Sequence, residues 1–131
     1  MKGILLLSHG TLCQGILSAM EVIGCDTDQV EAISLFMDTE LDEYTKRLED
    51  TIDRLDTGEG VLVIVDLLAG TPFNRSCMML ETKNIEVITG MNLPMCITAL
   101  DSRETGTLRD MVETCISEGR DGVMDVRAFL E

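Results

Sequence analysis

Four short apolar runs alternate with segments of helical periodicity, and this alternation constrains the fold more than any other feature of the sequence. The two strongest runs, residues 2–8 and 60–65, are apolar at nearly every position, which is typical of strands buried on both faces of a sheet. Residues 30–36 and 85–88 are weaker runs of strand-forming residues. The order β-α-β-α-β-α-β predicts an α/β fold with one domain over residues 1–131. We expect an open doubly wound sheet of four parallel strands in the order 2-1-3-4, with helices on both faces.

The segments between the runs have recognisable helix start and stop signals. Gly24 is a plausible end for the first helix, and an acidic turn at Asp38 opens the second. Proline suits the first helical turn, so Pro72 indicates the start of the third helix. The predicted helices cover residues 11–23, 38–55, 71–83, 94–99 and 108–116. The mixed tail over residues 122–129 is predicted as an edge strand, or as an extended arm that packs on a partner subunit.

Charge and composition exclude several classes of function. The chain has 131 residues with 24 Asp and Glu against 10 Lys and Arg, and the net charge of −14 disfavours contact with nucleic acid or an anionic lipid surface. The N-terminal apolar run is too short for a signal peptide, and no segment has the length of a membrane span. We therefore expect a cytoplasmic protein. The five cysteines form no CxxC pair and indicate neither a disulfide framework nor a zinc site.

Two strand ends contain the residue types that chemistry requires. In an open parallel sheet, ligands bind at the carboxyl ends of the strands, where the strand order reverses. In the order 2-1-3-4, the first and third strands flank that reversal. The first ends in Ser-His-Gly at residues 8–10, and the third is followed by Asp66 and by Gly-Thr-Pro at residues 70–72. We expect one site that combines the only histidine of the chain, a carboxylate and free N–H groups at a helix start.

These residue types suit a histidine that accepts a phosphoryl group. One imidazole nitrogen of His9 is the nucleophile, and Asp66 accepts the N–H of the other, fixing the tautomer and stabilising the cation formed on attack. The hydroxyl of Thr71 and nearby N–H groups stabilise the phosphoryl oxygens. Gly10 and Gly70 keep side chains out of the way. His9 and Asp66 are the predicted catalytic residues, with no metal and no organic cofactor.

Each of these residues also has a purely structural interpretation. A lone histidine at a strand end is more often a surface or structurally bonded residue. Asp66 alone could cap a helix or a turn, and Thr71 followed by proline is an ordinary helix start. Cys13 lies four residues beyond His9, but a core thiol is favoured over a Cys–His nucleophile because no second activating group is evident. Only the convergence of His9, Asp66 and Thr71 at one sheet edge indicates a catalytic site.

Three motifs of the chain resemble those of a known family. Ser-His-Gly after the first strand, VDLLAGTPFN at residues 65–74 and GMNLPM at residues 90–95 occur in the same order and spacing. Over nearly its whole length, the chain resembles the enzyme IIA component of the mannose family of the bacterial phosphoenolpyruvate-dependent sugar phosphotransferase system. In this resemblance His9 matches the phosphorylated histidine and Asp66 its paired aspartate. Leu68 and Ala69 stand where some members have a bulky aromatic residue and a glycine, so the rim of the site differs.

The resemblance implies a phosphoryl carrier that is a homodimer. His9 accepts the phosphoryl group from the histidine phosphocarrier protein and passes it to a IIB component of a sugar permease, through which the protein meets the membrane only indirectly. The C-terminal strand joins the sheet of the partner subunit. The predicted phosphoryl-binding residues are Gly10, Gly70, Thr71 and Asn74, with residues 91–94 at the rim.

Three other functions compete with this one. A phosphocarrier subunit of dihydroxyacetone kinase shares the fold and the strand-end histidine, and a dihydroxyacetone kinase assay separates it. A regulatory module would sense phosphorylation and bind a transporter or a transcription factor without obligatory phosphoryl flux. A flavodoxin-like nucleotide binder is disfavoured because aromatic residues make up only 3% of the chain.

Overall fold

Four parallel strands and six helices follow one another in the computed structural model, which describes residues 1–131. The strands are β1 (Gly3–His9), β2 (Val30–Leu35), β3 (Val61–Val65) and β4 (Ile85–Ile88). The helices are α1 (Leu12–Ile23), α2 (Leu41–Leu55), α3 (Thr71–Cys77), α4 (Leu93–Ser102), α5 (Leu108–Asp121) and α6 (Val126–Leu130). All strand pairs are parallel and the order is β2-β1-β3-β4, so the predicted sheet is confirmed.

The position of each strand in the sheet explains how apolar it is. β1 and β3 lie at the centre, where β3 is buried at all of its positions and β1 at all but its last residue, His9. β2 and β4 lie at the edges, and only their positions Val30, Ile33, Ile85 and Ile88 are buried. A central strand of a doubly wound sheet is covered on both faces, which requires a continuous apolar run, whereas an edge strand tolerates polar residues.

Alternate residues of the central strands supply two separate cores. Ile4 and Leu6 of β1 belong to the core under α1, α4 and α5, while Leu5 and Leu7 belong to the core under α2. Both cores are mostly aliphatic, and each fully buried side chain contributes roughly 1.5–3 kcal/mol. The two layers of helices cover both faces of the sheet. They leave open to loops the two edges that run across the strands: the edge where all four strands begin and the edge where all four end. None of the helices is long and apolar enough to cross a membrane.

Helix boundaries differ from the predicted ones where capping and packing decide them. α2 begins after Glu40, whose carboxylate accepts the N–H groups of Asp42 and Glu43, rather than at Asp38. α3 ends at Cys77, well before residue 83, because the N–H of Met79 bonds the carbonyl of Ser76 three residues earlier and the chain continues in turns toward β4. α4 and α5 both extend beyond their predicted ends.

The predicted C-terminal edge strand is wrong for the single chain. Residues 122–129 add no strand to the sheet, and their second half lies in the short helix α6. Asp125 caps this helix by accepting the N–H groups of Arg127 and Ala128, which gives the backbone a local alternative to strand pairing. α6 has no buried residue, so its apolar side chains Val126, Phe129 and Leu130 face solvent.

Candidate active site

The ends of β1 and β3 bring His9 and Asp66 together. The two strands pair in parallel up to Leu7 and Val65. Beyond this pair β1 continues to His9, beside β2, while β3 ends and Asp66 follows it, so both residues lie at the same edge of the sheet. The Asp66 Oδ2 lies 2.9 Å from the His9 Nδ1 and also accepts the main-chain N–H of His9 at 2.9 Å. The predicted juxtaposition of the only histidine with this carboxylate is therefore present in the structure.

The contact with Asp66 determines which imidazole nitrogen is available. An ionised carboxylate only accepts hydrogen bonds, so the Nδ1 of His9 donates and holds the proton, and in the neutral ring the Nε2 keeps its lone pair. Partial burial raises the pKa of Asp66, but hydrogen bonds from the main chain and ring of His9 and from the Leu67 N–H outweigh it, so the net pKa is below its usual range. Asp66 is therefore ionised, and the side chain of its partner His9 is 46% exposed.

Gly70 faces the free nitrogen of His9. Its φ is +96°, a conformation that side chains rarely adopt, and a Cβ at this position would lie 2.9 Å from both the Nε2 and the Cε1 of the imidazole. The next residue, Thr71, begins α3, followed by Pro72. The N–H groups of Thr71 and Phe73 have no main-chain acceptor, as expected in the first turn of a helix. A ligand at the Nε2 would meet backbone, not side chain, at residue 70.

A cavity of about 600 Å³ opens beside His9. From the predicted site residues it includes Gly10, Gly70 and Thr71. The other side is formed by the end of β2 and the loop into α2, a wall that the sequence analysis missed. This wall consists of Leu35, Phe36, Met37, Thr39 and Leu41. The signal for it was the strand order itself, since β2 neighbours β1 and Leu35 pairs with His9 in the register.

Two predicted elements lie away from this cavity. Asn74 is exposed on the second turn of α3, and residues 91–94 are not among the residues that line the cavity. Cys13 is fully buried under the sheet, as predicted for a core thiol, and all five cysteines are free. No group of three or more His, Cys, Asp or Glu side chains is placed to hold a metal ion.

One buried polar group on the neighbouring helix has no partner. Tyr44, in the first turns of α2, is 3% exposed, and its hydroxyl makes no hydrogen bond. Burial raises the pKa of Tyr44, and the negative charge of Asp66 adds to this effect. The phenol is therefore neutral, and its unpaired hydroxyl lowers the stability of the fold.

The strand-end site agrees with what the chain resembles among known proteins. Residues 3–116 match the EIIA-man family, described as the PTS system fructose IIA component. The mannose-specific EIIAB component of the phosphotransferase system of Escherichia coli K12 is 28% identical over 127 residues, covering 95% of this chain and 39% of that protein. The sorbose-specific EIIA component of Lacticaseibacillus casei is 30% identical over 95 residues, covering 72% of this chain and 68% of that one.

The fold is also shared with solved structures. The phosphotransferase system component EIIA from Streptococcus agalactiae superposes with a TM-score of 0.88 at 30% identity, covering 98% of this chain and 99% of that one. This chain spans well under half the length of the mannose-specific EIIAB components of Escherichia coli. The family match includes His9, Asp66 and the loop at residues 70–74. The chain belongs to the mannose- and fructose-type IIA family of the bacterial sugar phosphotransferase system.

Proposed function

We propose that this chain is a phosphoryl carrier and that the Nε2 of His9 is the atom that accepts the phosphoryl group. The hydrogen bond between the Nδ1 and Asp66 is the observation that supports the proposal most directly, because it leaves the Nε2 as the free nucleophile beside the cavity. Family membership supports the same assignment. The donor is the histidine phosphocarrier protein, and the acceptor is a IIB component of a sugar permease.

The transfer exchanges one N–P bond for another. The lone pair of the His9 Nε2 attacks the phosphorus of the donor phosphohistidine, and the donor N–P bond breaks with its electron pair returning to the donor imidazole. The His9 ring becomes cationic, while its Nδ1 proton stays on the hydrogen bond to Asp66, whose negative charge stabilises the cation. The same steps in reverse order pass the group to the histidine of the IIB component.

The residues around the Nε2 have separate roles in this proposal. Gly70 leaves room for the phosphoryl group against the ring, and Gly10 does so on the side of β1. The hydroxyl and N–H of Thr71 donate to the phosphoryl oxygens. Asn74, one turn further along α3, does not line the cavity, and its contact with a phosphoryl oxygen stays a prediction.

We also propose that the chain forms a homodimer and meets the membrane only indirectly. The exposed apolar residues of α6 and of the preceding segment support a homodimer, because Val123, Phe129 and Leu130 are each more than two-thirds exposed in the single chain. Light scattering is expected to give twice the mass of one chain. We propose contact with the membrane only through the permease complex.

Phosphoenolpyruvate, enzyme I and the histidine phosphocarrier protein provide the direct test. Intact mass of the wild-type chain is expected to rise by one phosphoryl group that acid removes. Since the chain has only one histidine, an acid-labile gain is assigned to His9, and His9→Ala is expected to show none while keeping its fold by circular dichroism. No gain in the wild type, with both donors shown to be phosphorylated, would overturn the proposal.

A second step separates the downstream acceptors. The phosphorylated chain is mixed either with a IIB component or with dihydroxyacetone kinase. Loss of the phosphoryl group only to the IIB component is the expected result. Loss only to the kinase would replace the sugar carrier with the dihydroxyacetone alternative, and loss to neither would favour a regulatory module.

A further inference from the structure

The turn that presents His9 is held by a buried hydroxyl with no role in the proposed chemistry. Ser8, the residue before His9, is fully buried at the end of β1. Its Oγ accepts the main-chain N–H of Cys13 at 2.8 Å and donates to the carbonyl of Gly10 at 3.3 Å. Both partners follow His9 in the chain, so the two hydrogen bonds close a loop around the histidine.

The hydroxyl of Ser8 replaces a missing helix cap. The residue before α1, Thr11, makes no capping hydrogen bond with its side chain. The N–H of Cys13, the second residue of α1, would therefore have no acceptor within its own helix. Ser8 supplies that acceptor from the preceding strand and joins the end of β1 to the first turn of α1.

The position of the imidazole depends on this loop. The ring must place its Nδ1 2.9 Å from Asp66 and its Nε2 against Gly70, so a shift of the His9 main chain disturbs both contacts. The main chain is fixed on one side by the bond from the His9 N–H to Asp66, and on the other by the bond from the Gly10 N–H to the Leu35 carbonyl at 2.8 Å. Ser8 connects these two anchor points to α1.

We propose that Ser8 is a positioning residue for His9, acting through the turn and not through contact with the phosphoryl group. The inference rests on the proposed function for its effect on rate, but its effect on the imidazole exists without any phosphoryl donor. Without the hydroxyl, the turn loses its link to α1, and the Nδ1 proton is no longer held on the side of Asp66 in every molecule.

The test compares Ser8→Ala with a control that loses a helix cap elsewhere. Thr107 accepts the N–H of Asp110 at the start of α5, and four residues earlier the carbonyl of Arg103 accepts from Lys2, just before β1. Thr107→Ala therefore removes a cap at the opposite edge of the sheet. Ser8→Thr keeps a hydroxyl at the site. Both alanine variants are expected to lose stability to a similar degree, which urea unfolding of the full chain measures.

Two readouts distinguish positioning from stability. Nitrogen-15 NMR of the single imidazole, without donor, is expected to show one tautomer with the proton on the Nδ1 in the wild type, Ser8→Thr and Thr107→Ala. A mixture of both tautomers is expected in Ser8→Ala. With the phosphocarrier as donor, Ser8→Ala is expected to lower kcat on the order of tenfold with KM nearly unchanged, and Ser8→Thr to restore it.

The outcomes separate this inference from the proposed function. An unchanged tautomer and an unchanged kcat in folded Ser8→Ala would overturn the positioning role, and so would an equal loss of kcat in Thr107→Ala. If Ser8→Thr fails to fold, the comparison of the two alanine variants still decides. If the wild type takes up no phosphoryl group, the proposed function fails, and the NMR comparison alone decides whether Ser8 positions the ring.

Discussion

The two edges of the sheet use polar side chains in opposite ways. At the edge where strands begin, Lys2 and Arg103 are each only 4% exposed, and both donate to main-chain carbonyls. The ammonium of Lys2 donates to the carbonyl of Arg103 at 3.1 Å, and the guanidinium of Arg103 donates to the carbonyls of Asp26 and Asp28. These bonds connect β1, α4 and the loop before β2, and they satisfy the buried cations.

At the edge where strands end, polar groups remain available. His9 is half-exposed and keeps one ring nitrogen free, the N–H groups of Thr71 and Phe73 have no main-chain acceptor, and the buried hydroxyl of Tyr44 has no partner. One edge therefore contributes stability through satisfied hydrogen bonds, whereas the other leaves polar groups without partners, at a cost to stability, where the proposed reaction takes place. Substitutions at the two edges are expected to separate activity from stability.

Asp66→Asn is expected to have the largest effect of all, and a larger effect on the rate of transfer than on stability. The amide keeps the size of the side chain but has only one acceptor oxygen. Since the Oδ2 accepts both the main-chain N–H and the Nδ1 proton of His9 and the Oδ1 accepts the Leu67 N–H, either orientation of the amide breaks part of the network that holds the ring. Loss of the charge also leaves the phosphorylated ring without its counterion. The rate of phosphoryl gain, followed by quenched-flow mass measurements, is expected to fall on the order of 10³-fold.

Asp110→Asn is the matched control for the loss of a carboxylate. The pKa of Asp110 is also lowered, by hydrogen bonds from the N–H and side chain of Thr107, but this carboxylate belongs to the cap of α5. The rate of phosphoryl gain in Asp110→Asn is expected to equal that of the wild type. Equal rates for Asp66→Asn and Asp110→Asn would show that the contact between Asp66 and His9 has no part in the transfer.

Arg103→Met is expected to have the largest effect on stability. The methionine fills part of the same space but leaves the carbonyls of Asp26 and Asp28 without their buried donor, at a cost of about 3 kcal/mol. Urea unfolding is expected to show a lower midpoint with the same slope, while the rate of phosphoryl gain of the folded protein is unchanged. An unchanged midpoint would mean that the buried guanidinium contributes nothing to this edge.

Arg109→Met provides the comparison for that experiment. Arg109 forms an exposed ion pair with Glu86 at 3.1 Å, on the same face of the sheet, and its side chain is 64% exposed. Exposed ion pairs contribute about 0–1 kcal/mol, so the midpoint is expected to move little. Both variants lose one positive charge, so the difference between their urea midpoints measures the effect of burial and not of charge.

The difference between the edges also explains what the sequence could predict. β1 and β3 were predictable because a strand covered on both faces requires an apolar residue at nearly every position, and the strand order then placed the residues at their ends at one edge. His9 and Asp66 were predictable from that placement, since each directly ends or follows a central strand. Their chemical roles remain predictions that the rate measurements test.

The parts that were not predicted depend on local hydrogen bonds or on the shape of the surface. The helix over residues 126–130 depends on a cap from Asp125, a local hydrogen bond that competes with strand pairing and that residue periodicity does not reveal. The apolar side chains of Phe36 and Met37 resemble core residues in the sequence, but they lie exposed in the loop after β2 and border the cavity. Periodicity identifies which residues are apolar and does not say which of them stay in solvent.

Tyr44→Phe is expected to have the smallest effect, and in the direction opposite to Arg103→Met. Its hydroxyl is buried without a partner, so removing the oxygen relieves a desolvation cost and is expected to raise the free energy of unfolding by about 1 kcal/mol. Ser76→Ala is the control, because the buried Ser76 hydroxyl donates to the Pro72 carbonyl at 2.6 Å and its loss is expected to destabilise the protein. Urea midpoints that move in opposite directions in these two variants would show that the edge bearing His9 holds an unsatisfied polar group. If Tyr44→Phe instead destabilises the protein as Ser76→Ala does, the Tyr44 hydroxyl has a partner in solution and the contrast between the two edges is smaller than the structure indicates.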